Sequence, residues 1–177
     1  PTILNCISYD PTYAFEVAVI IQAGLARLYR ARAHVFHYLP VTNVKYSHPV
    51  LPEGAEASSP KCMYRLRRER GKVPGVGLLG SGAILPGVLE AQALLAEHFA
   101  VGAQVWSVTS YTELKRDAMA AEHWNMRHPG RKARVPYLCE QLSGNDAPIV
   151  AASDYVRALP DPIAPWLPSP LLPAAPD

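Results

Sequence analysis

The middle of the chain carries the hydrophobic pattern of a β-α-β unit. A short apolar run at residues 76–79 is followed by Gly80-Ser81-Gly82, and residues 83–99 then place apolar side chains at helical spacing. After a break at residues 100–102, a second apolar run occupies residues 104–108. Strands joined by a crossover helix lie parallel in one sheet, with a right-handed connection. The pattern therefore predicts a parallel α/β sheet organised around this unit.

The start of the chain shows a similar pattern. Residues 3–7 are largely apolar and predict a strand, and the turn that follows contains Asp10 and Thr12 as candidate helix N-caps. Residues 13–30 then predict a helix and residues 34–39 a second strand. The ends of these strands are expected at one edge of the sheet, where open parallel sheets bind ligands.

The remaining segments are less regular. Residues 41–60 are rich in proline, glycine and serine and predict an extended loop, and the arginine-rich residues 61–72 predict a linker between two domains. Residues 148–153 predict a third parallel strand. The last eighteen residues, 160–177, contain seven prolines, which excludes a regular helix or a central strand.

Composition narrows the functional class only a little. The 177 residues carry a net charge of +2, which does not favour nucleic acid or an anionic membrane as a partner. The three cysteines form no CxxC motif, which indicates reduced thiols in a cytoplasmic protein and no metal site. No segment resembles a signal peptide or a membrane span. The chain opens with Pro1 and not with Met, as a piece of a longer polypeptide would.

Several short motifs have simpler explanations than a ligand site. Residues 75–80 match GxGxxG, but these glycines precede and interrupt the predicted strand, so a dinucleotide site is not favoured. Gly80-Ser81-Gly82 is placed to hold an anion at a helix start, but a tight strand-to-helix turn is the favoured explanation. His34 and His37 are expected on opposite faces of a strand and cannot chelate one ion together. The arginine run at residues 65–70 is typical of a solvated segment.

Seven segments carry a more specific signal, in order along the chain: residues 5–18, 51–56, 78–85, 105–114, 124–129, 134–137 and 153–155. Together they resemble the homodimeric, thiamine diphosphate-dependent pyruvate dehydrogenase family, the decarboxylating component of the pyruvate dehydrogenase complex. The resemblance implies an α/β fold in two parts. Residues 1–70 would be the end of a thiamin diphosphate pyrimidine-binding domain plus a linker. Residues 71–177 would be a truncated transketolase C-terminal-type domain with a parallel sheet.

The resemblance also implies a function. It predicts an oxidoreductase that decarboxylates pyruvate between glycolysis and acetyl-CoA and passes the acetyl group to the lipoyl group of the dihydrolipoyl acetyltransferase component. The implied cofactors are thiamine diphosphate and Mg²⁺, with most of their contacts outside this chain. The implied partners are a second subunit in a homodimer, the acetyltransferase and pyruvate, in the cytoplasm, without nucleic acid or membrane.

By the same resemblance, Tyr9, Asp10 and Tyr13 are candidate cofactor-binding residues beside the aminopyrimidine. Tyrosine rings can pack on a flat heterocycle and donate a hydroxyl, but a helix-start turn with core aromatics would use the same residue types. His48 is the candidate catalytic residue, and no residue is assigned to a metal.

The chain departs from the family pattern at the active-site loop. The acid expected there is replaced by Val44, and His48 comes one place late, after Ser47. Cys62 replaces an expected glycine. These departures leave a second hypothesis open, in which the chain alone is a catalytically inactive fragment that acts as an association module.

Overall fold

A computed structural model describes residues 3, 5–43, 45–50, 52, 54–70 and 73–174. It contains two sheets, and both include parallel strands. The strands of the smaller sheet lie near the start of the chain, and those of the larger sheet follow from residue 63 onward. The predicted α/β class with a mostly parallel sheet is therefore confirmed.

The first unit is β1 (Cys6–Ser8), α1 (Ala14–Leu25) and β2 (Phe36–Tyr38). The two strands pair in parallel, and α1 continues into a π-helical turn at Ala26–Arg30. Tyr13 is the N-cap residue of α1, so the expectation that Asp10 or Thr12 would cap it is wrong. Both side chains point instead toward Gly82, in the second half of the chain.

The larger sheet has the strand order β3-β5-β4-β6-β7. Its strands are β3 (Met63–Arg70), β4 (Val73–Gly80), β5 (Val101–Val108), β6 (Ile149–Ala152) and β7 (Leu171–Ala174). Strand β3 is antiparallel to β5, and every other pair is parallel. The predicted β-α-β unit and the third parallel strand are both present.

Helices cover both faces of this sheet. They are α2 (Ala55–Ser58), α3 (Leu85–Phe99), α4 (Tyr111–Arg127) and α5 (Tyr137–Gln141), with short 3₁₀ turns at Ser59–Lys61, Gly82–Ile84 and Asp161–Trp166. Neighbouring side chains on a strand point to opposite faces. Leu78 accordingly packs with Leu85 of α3, whereas Leu79 packs with Leu114 of α4.

Two segments differ from their predicted form. The predicted linker over residues 61–72 is wrong where the structure describes it, because Met63–Arg70 forms the edge strand β3. Tyr64 on this strand is buried while Arg65 and Arg67 are exposed, which is the alternation of a sheet edge with one solvated face. The predicted extended loop over residues 41–60 contains the short helix α2.

The ends of two elements also differ from expectation. The predicted break at residues 100–102 is shorter, because β5 begins at Val101 and only Ala100, with φ of 54°, adopts a left-handed turn conformation. Over residues 160–174 the chain forms no α-helix, as expected, but it adds β7 as an edge strand that includes Pro173.

Candidate functional site

The turn at residues 9–13 lies across the carboxyl ends of β4 and β5. The Asp10 N–H donates to the Thr109 carbonyl oxygen (2.7 Å), and the Gly82 N–H donates to the Asp10 carbonyl oxygen (3.1 Å). The Thr12 hydroxyl donates to the Gly82 carbonyl oxygen (2.7 Å). The first unit is therefore attached at the sheet edge where parallel α/β proteins commonly bind ligands.

Four rings gather beside this turn and are called here the aromatic cluster: Tyr13, Phe15, Tyr46 and His48. Tyr13 is 2% exposed, and its ring stacks on Phe15 with centroids 5.4 Å apart. Tyr46 meets Tyr13 edge-on at 6.2 Å and stacks on His48 at 5.0 Å. The cluster thus presents flat aromatic surfaces, which can pack on a heterocycle.

The backbone at the start of α1 holds two of these rings. The Ala14 N–H donates to His48 Nδ1 (3.2 Å), and the Tyr46 hydroxyl donates to the Thr12 carbonyl oxygen. Because Nδ1 is the acceptor, the proton of a neutral His48 ring resides on Nε2. A cavity of about 250 Å³ lies here, with Tyr13, Tyr46 and His48 among its lining residues.

Tyr9 and Asp10 line a different cavity. It also measures about 250 Å³ and includes Tyr111 and Tyr155 in its wall. The Tyr9 hydroxyl donates to the Pro60 carbonyl oxygen (3.3 Å). The structure therefore brings Tyr13 and His48 together and separates them from Tyr9 and Asp10. The cofactor role of Tyr9, Asp10 and Tyr13 and the catalytic role of His48 stay predictions.

Burial sets the acidity of two of these residues. It raises the pKa of the Asp10 carboxyl above its usual range, an effect that the Ser81 hydroxyl opposes and the Asp154 carboxylate reinforces. Burial also raises the pKa of Tyr13, and the Glu16 carboxylate adds to this while Arg67 opposes it. Tyr13 is thus held as a neutral phenol.

Glu16 is the most deeply buried acid of the site. It is 0% exposed, and its carboxylate accepts hydrogen bonds from two backbone N–H groups and two hydroxyls. The hydroxyls belong to Tyr64 on β3 and Ser107 on β5, both 2.6 Å away. This carboxylate therefore joins the start of α1 to the larger sheet.

Comparison with protein families accounts for both parts of the chain. The model of the pyruvate dehydrogenase E1 component middle domain matches residues 1–49, and that of the transketolase-like TK C-terminal domain matches residues 62–166. The chain belongs to the transketolase-like C-terminal domain family. The matched range begins just before β3, so the arginine-rich strand lies inside it. A domain division at residue 70 stays a prediction.

Curated relatives confirm the resemblance to pyruvate dehydrogenase. The "Pyruvate dehydrogenase E1 component" of Escherichia coli (strain K12) is 46% identical over 169 residues, which is 95% of this chain and 19% of the relative. The protein of the same name from Pseudomonas aeruginosa is 44% identical over equal shares. That of Cupriavidus necator is 40% identical over 166 residues, 93% of this chain and 18% of the relative. The chain thus spans about a fifth of the length of the curated relatives it matches.

Two of the departures from the family pattern can be placed. Cys62 has φ of 79°, a left-handed conformation that favours glycine, which gives a physical reason for the expected residue. Ser47 is exposed beside His48. Val44 lies outside the described residues, so its effect on the loop stays a prediction.

Sequence reasoning missed Glu16, Tyr46 and Tyr64 as parts of the site. Glu16 had a local signal, because an acid three residues after a helix N-cap is typical of a capping box. Its partners Tyr64 and Ser107 are 48 and 91 residues away along the chain, and no local pattern links them to it.

The other motifs take part in packing. The glycine-rich residues 75–80 lie within β4, where a Cβ on Gly77 would approach the Asn145 side chain at 2.8 Å. Among the residues that the structure describes, no three His, Cys, Asp or Glu side chains are grouped closely enough to hold a metal ion. Within the same residues, no helix combines the length and the apolar character needed to cross a bilayer.

Proposed function

We propose that the chain forms part of the cofactor site of a thiamine diphosphate-dependent pyruvate dehydrogenase. In this proposal the complete enzyme decarboxylates pyruvate oxidatively and passes the acetyl group to the lipoyl group of an acetyltransferase component. The relatives named pyruvate dehydrogenase E1 component support the reaction class. The observation that carries the proposal is the aromatic cluster, which adjoins a cavity at the sheet edge.

The aromatic cluster fits one part of the proposed cofactor. A cavity of about 250 Å³ is smaller than the roughly 300–1,000 Å³ of complete ligand pockets, so it suits a single flat ring and not a whole coenzyme. When bound, thiamine diphosphate supplies the carbon centre that stabilises the charge left by decarboxylation. Its diphosphate and Mg²⁺ would be held outside the described residues.

The residues of this chain would orient that ring and move a proton. The buried Tyr13 ring and the Tyr46 ring offer surfaces that exclude water from one side of the cavity. His48 would donate or accept a proton at Nε2, because the Ala14 N–H already occupies Nδ1. Tyr9 and Asp10, which line the other cavity on the far side of the same turn, would be the remaining cofactor-binding residues.

The finer assignments belong to the same proposal. They are a homodimer partner, the dihydrolipoyl acetyltransferase, pyruvate as the 2-oxo acid, and a cytoplasmic location without nucleic acid or membrane. Three large apolar side chains are exposed along α1 and the π-helical turn: Ile21 (49%), Leu25 (49%) and Tyr29 (78%). An exposed apolar surface of this kind supports a protein partner on this face. The same surface would serve the association module of the second hypothesis.

A chimera tests the proposal. The matching segment of the Escherichia coli relative is replaced by the aligned 169 residues of this chain, and CO₂ release from pyruvate is followed with and without thiamine diphosphate. We expect cofactor-dependent turnover, and we expect His48→Gln to lower it about 10²-fold or more, the usual contribution of a general acid or base. His98→Gln, an exposed histidine on α3, should leave turnover unchanged.

The outcomes separate the two hypotheses and also separate decarboxylation from acetyl transfer. A folded chimera that binds the cofactor but releases no CO₂ would contradict the catalytic proposal and favour the association module. Acetyl transfer is measured separately, by adding the acetyltransferase component. A chimera that releases CO₂ without transferring acetyl groups would retain the decarboxylation and refute the transfer step.

A further inference from the structure

Glu16 forms more hydrogen bonds than a helix cap requires. Its Oε2 atom accepts from the backbone N–H groups of Thr12 (2.5 Å) and Tyr13 (2.9 Å), as in an ordinary capping box. Its Oε1 atom accepts from the Tyr64 and Ser107 hydroxyls. Four donors fill the acceptor sites of a carboxylate, so this acid is fully satisfied without contact with water.

The burial of this group is costly in the absence of a cation. In the part of the chain that the structure describes, no ion pair involves Glu16. A buried carboxylate depends on well-placed donors to replace its hydration, and here these donors come from α1, β3 and β5. A cap alone would leave the carboxylate at the surface, where solvent could complete its hydrogen bonds.

Glu16 and the rings of Tyr46 and His48 bind the same short backbone segment, residues 12–14. Glu16 fixes the N–H groups of Thr12 and Tyr13, while the carbonyl of Thr12 accepts from Tyr46 and the N–H of Ala14 donates to His48. Three consecutive residues therefore have Glu16 on one side and the aromatic cluster on the other. A shift of the carboxylate changes the backbone to which both rings are attached.

We propose that Glu16 is the positioning residue of the candidate site, and that it sets the orientation of Tyr13, Tyr46 and His48 relative to the larger sheet. This role rests on the proposed function, because it matters only if the aromatic cluster binds the cofactor. Glu16 does not line the cavity, so it acts through the backbone of residues 12–14 and is not a catalytic residue.

The test follows the His48 ring in the full 177-residue chain by NMR, with ¹⁵N-labelled histidine and with His48→Gln to assign the signal. The ¹⁵N signals of the ring report which of its two nitrogens carries the proton. We expect the Nε2–H tautomer and an upfield displacement of the ring protons by stacked Tyr46. Glu16→Ala should lose both the tautomer preference and the upfield displacement. Glu16→Gln should retain most of the displacement, because the amide oxygen can accept from the two backbone N–H groups while the amide nitrogen donates to the Tyr64 and Ser107 hydroxyls.

A matched variant separates positioning from general stability. Gln92 is also 0% exposed, and it donates to the carbonyl oxygens of Ala103 (2.6 Å) and Arg68 (3.0 Å) in the same sheet. Gln92→Ala should lower the melting temperature as Glu16→Ala does, but it should leave the His48 signals in place. Equal changes of the His48 signals in both variants, or His48 signals in Glu16→Ala that match those of the unaltered chain, would overturn the proposal.

A milder variant keeps the test decisive if Glu16→Ala does not fold. Tyr64→Phe removes one hydroxyl and leaves the backbone bonds of the carboxylate intact. It should displace the His48 signals in the same direction by a smaller amount, and an unchanged spectrum would refute the link to the sheet. Because the measurement needs no cofactor, it can succeed while the chimera fails, and the two proposals are judged apart.

Discussion

The two β-α-β units share a parallel connection but differ in how they are built. Strands β1 and β2 have three residues each, whereas β4 and β5 have eight. Phe36 and Tyr38 on β2 are 47% and 57% exposed, but β5 is buried along most of its length, between helices on both faces. The second unit therefore contains its own core, and the first obtains much of its burial by packing against the second.

Directional hydrogen bonds join the units in addition to this apolar packing. Arg116 of α4 donates to the carbonyl oxygens of Cys6 (2.9 Å) and Ile3 (3.0 Å), and Ser110 donates to that of Ser8 (2.6 Å). Such bonds exist only while both units are folded and in contact. The candidate site thus lies on the first unit, which depends on the second for its packing. Its geometry is therefore sensitive to changes in the second unit.

Gly82→Ala should give the largest effect, since it would place a side chain where the two units meet. Gly82 has φ of 52°, and an added Cβ would overlap the Asp10 carboxylate. A left-handed alanine plus this overlap should lower the free energy of unfolding by roughly 2–4 kcal/mol, measured by urea unfolding. Gly87→Ala is the control, because its Cβ meets open space within α3, and we expect it to stabilise by about 0.5–1 kcal/mol. If both variants unfold at the same urea concentration as the unaltered chain, the contact does not join the units.

Arg116→Ala should loosen the first unit while leaving the sheet folded. Each charged hydrogen bond to a backbone carbonyl contributes roughly 1.5–3 kcal/mol when buried, and partial exposure of Arg116 reduces this, so we expect a loss of about 1–2 kcal/mol. Hydrogen exchange should accelerate at the amides of β1 more than at those of β5. Arg157→Ala, which breaks only an exposed pair with Asp161, should change stability by less than about 0.5 kcal/mol. Uniform acceleration across both units would show that they unfold together and that the comparison is wrong.

The same difference explains what could be predicted from sequence. The apolar run at residues 76–79 and the helical spacing of residues 83–99 are local, and both predicted elements of the second unit that the structure contains. Strand β3 was missed because the exposed Arg65 and Arg67 at a sheet edge have the same charge density as a solvated linker.

The site could be predicted only in part, for a related reason. Resemblance pointed to Tyr13 and His48, and they do lie together. The separation of Tyr9 from Tyr13 into different cavities depends on how the turn crosses the sheet edge. That crossing is determined by bonds to Thr109 and Gly82, which are far away along the chain.

Asp10→Asn should show that burial of the Asp10 carboxyl between the units lowers the free energy of unfolding in a pH-dependent way. Burial raises the pKa of this carboxyl in the folded state, so the folded chain holds the proton more tightly than the unfolded chain. The stability that the protonated group confers is complete below the unfolded pKa of about 3.9 and is lost as pH rises through the higher folded value. The unaltered chain should therefore lose stability relative to Asp10→Asn over this window, by less than the Arg116 effect. Urea unfolding at several pH values checks this, and a pH-independent difference between the two proteins would contradict it.

Ala100→Gly should have the smallest effect and should be confined to the second unit. Ala100 ends α3 with φ of 54° and is exposed, so glycine relieves backbone strain there without removing a packed side chain. We expect stabilisation by about 1 kcal/mol or less, because the left-handed penalty of about 1–2 kcal/mol is offset by the greater freedom of unfolded glycine. Ala120→Gly, an exposed position inside α4, should destabilise by about 1 kcal/mol and serves as the opposite control. Thermal unfolding measures both. Ala100 lies at the opposite end of α3 from the contacts at Gly82. Hydrogen exchange at the amides of β1 should therefore change only as far as global stability changes. A selective change at β1 would show that a substitution at this helix end also affects the first unit.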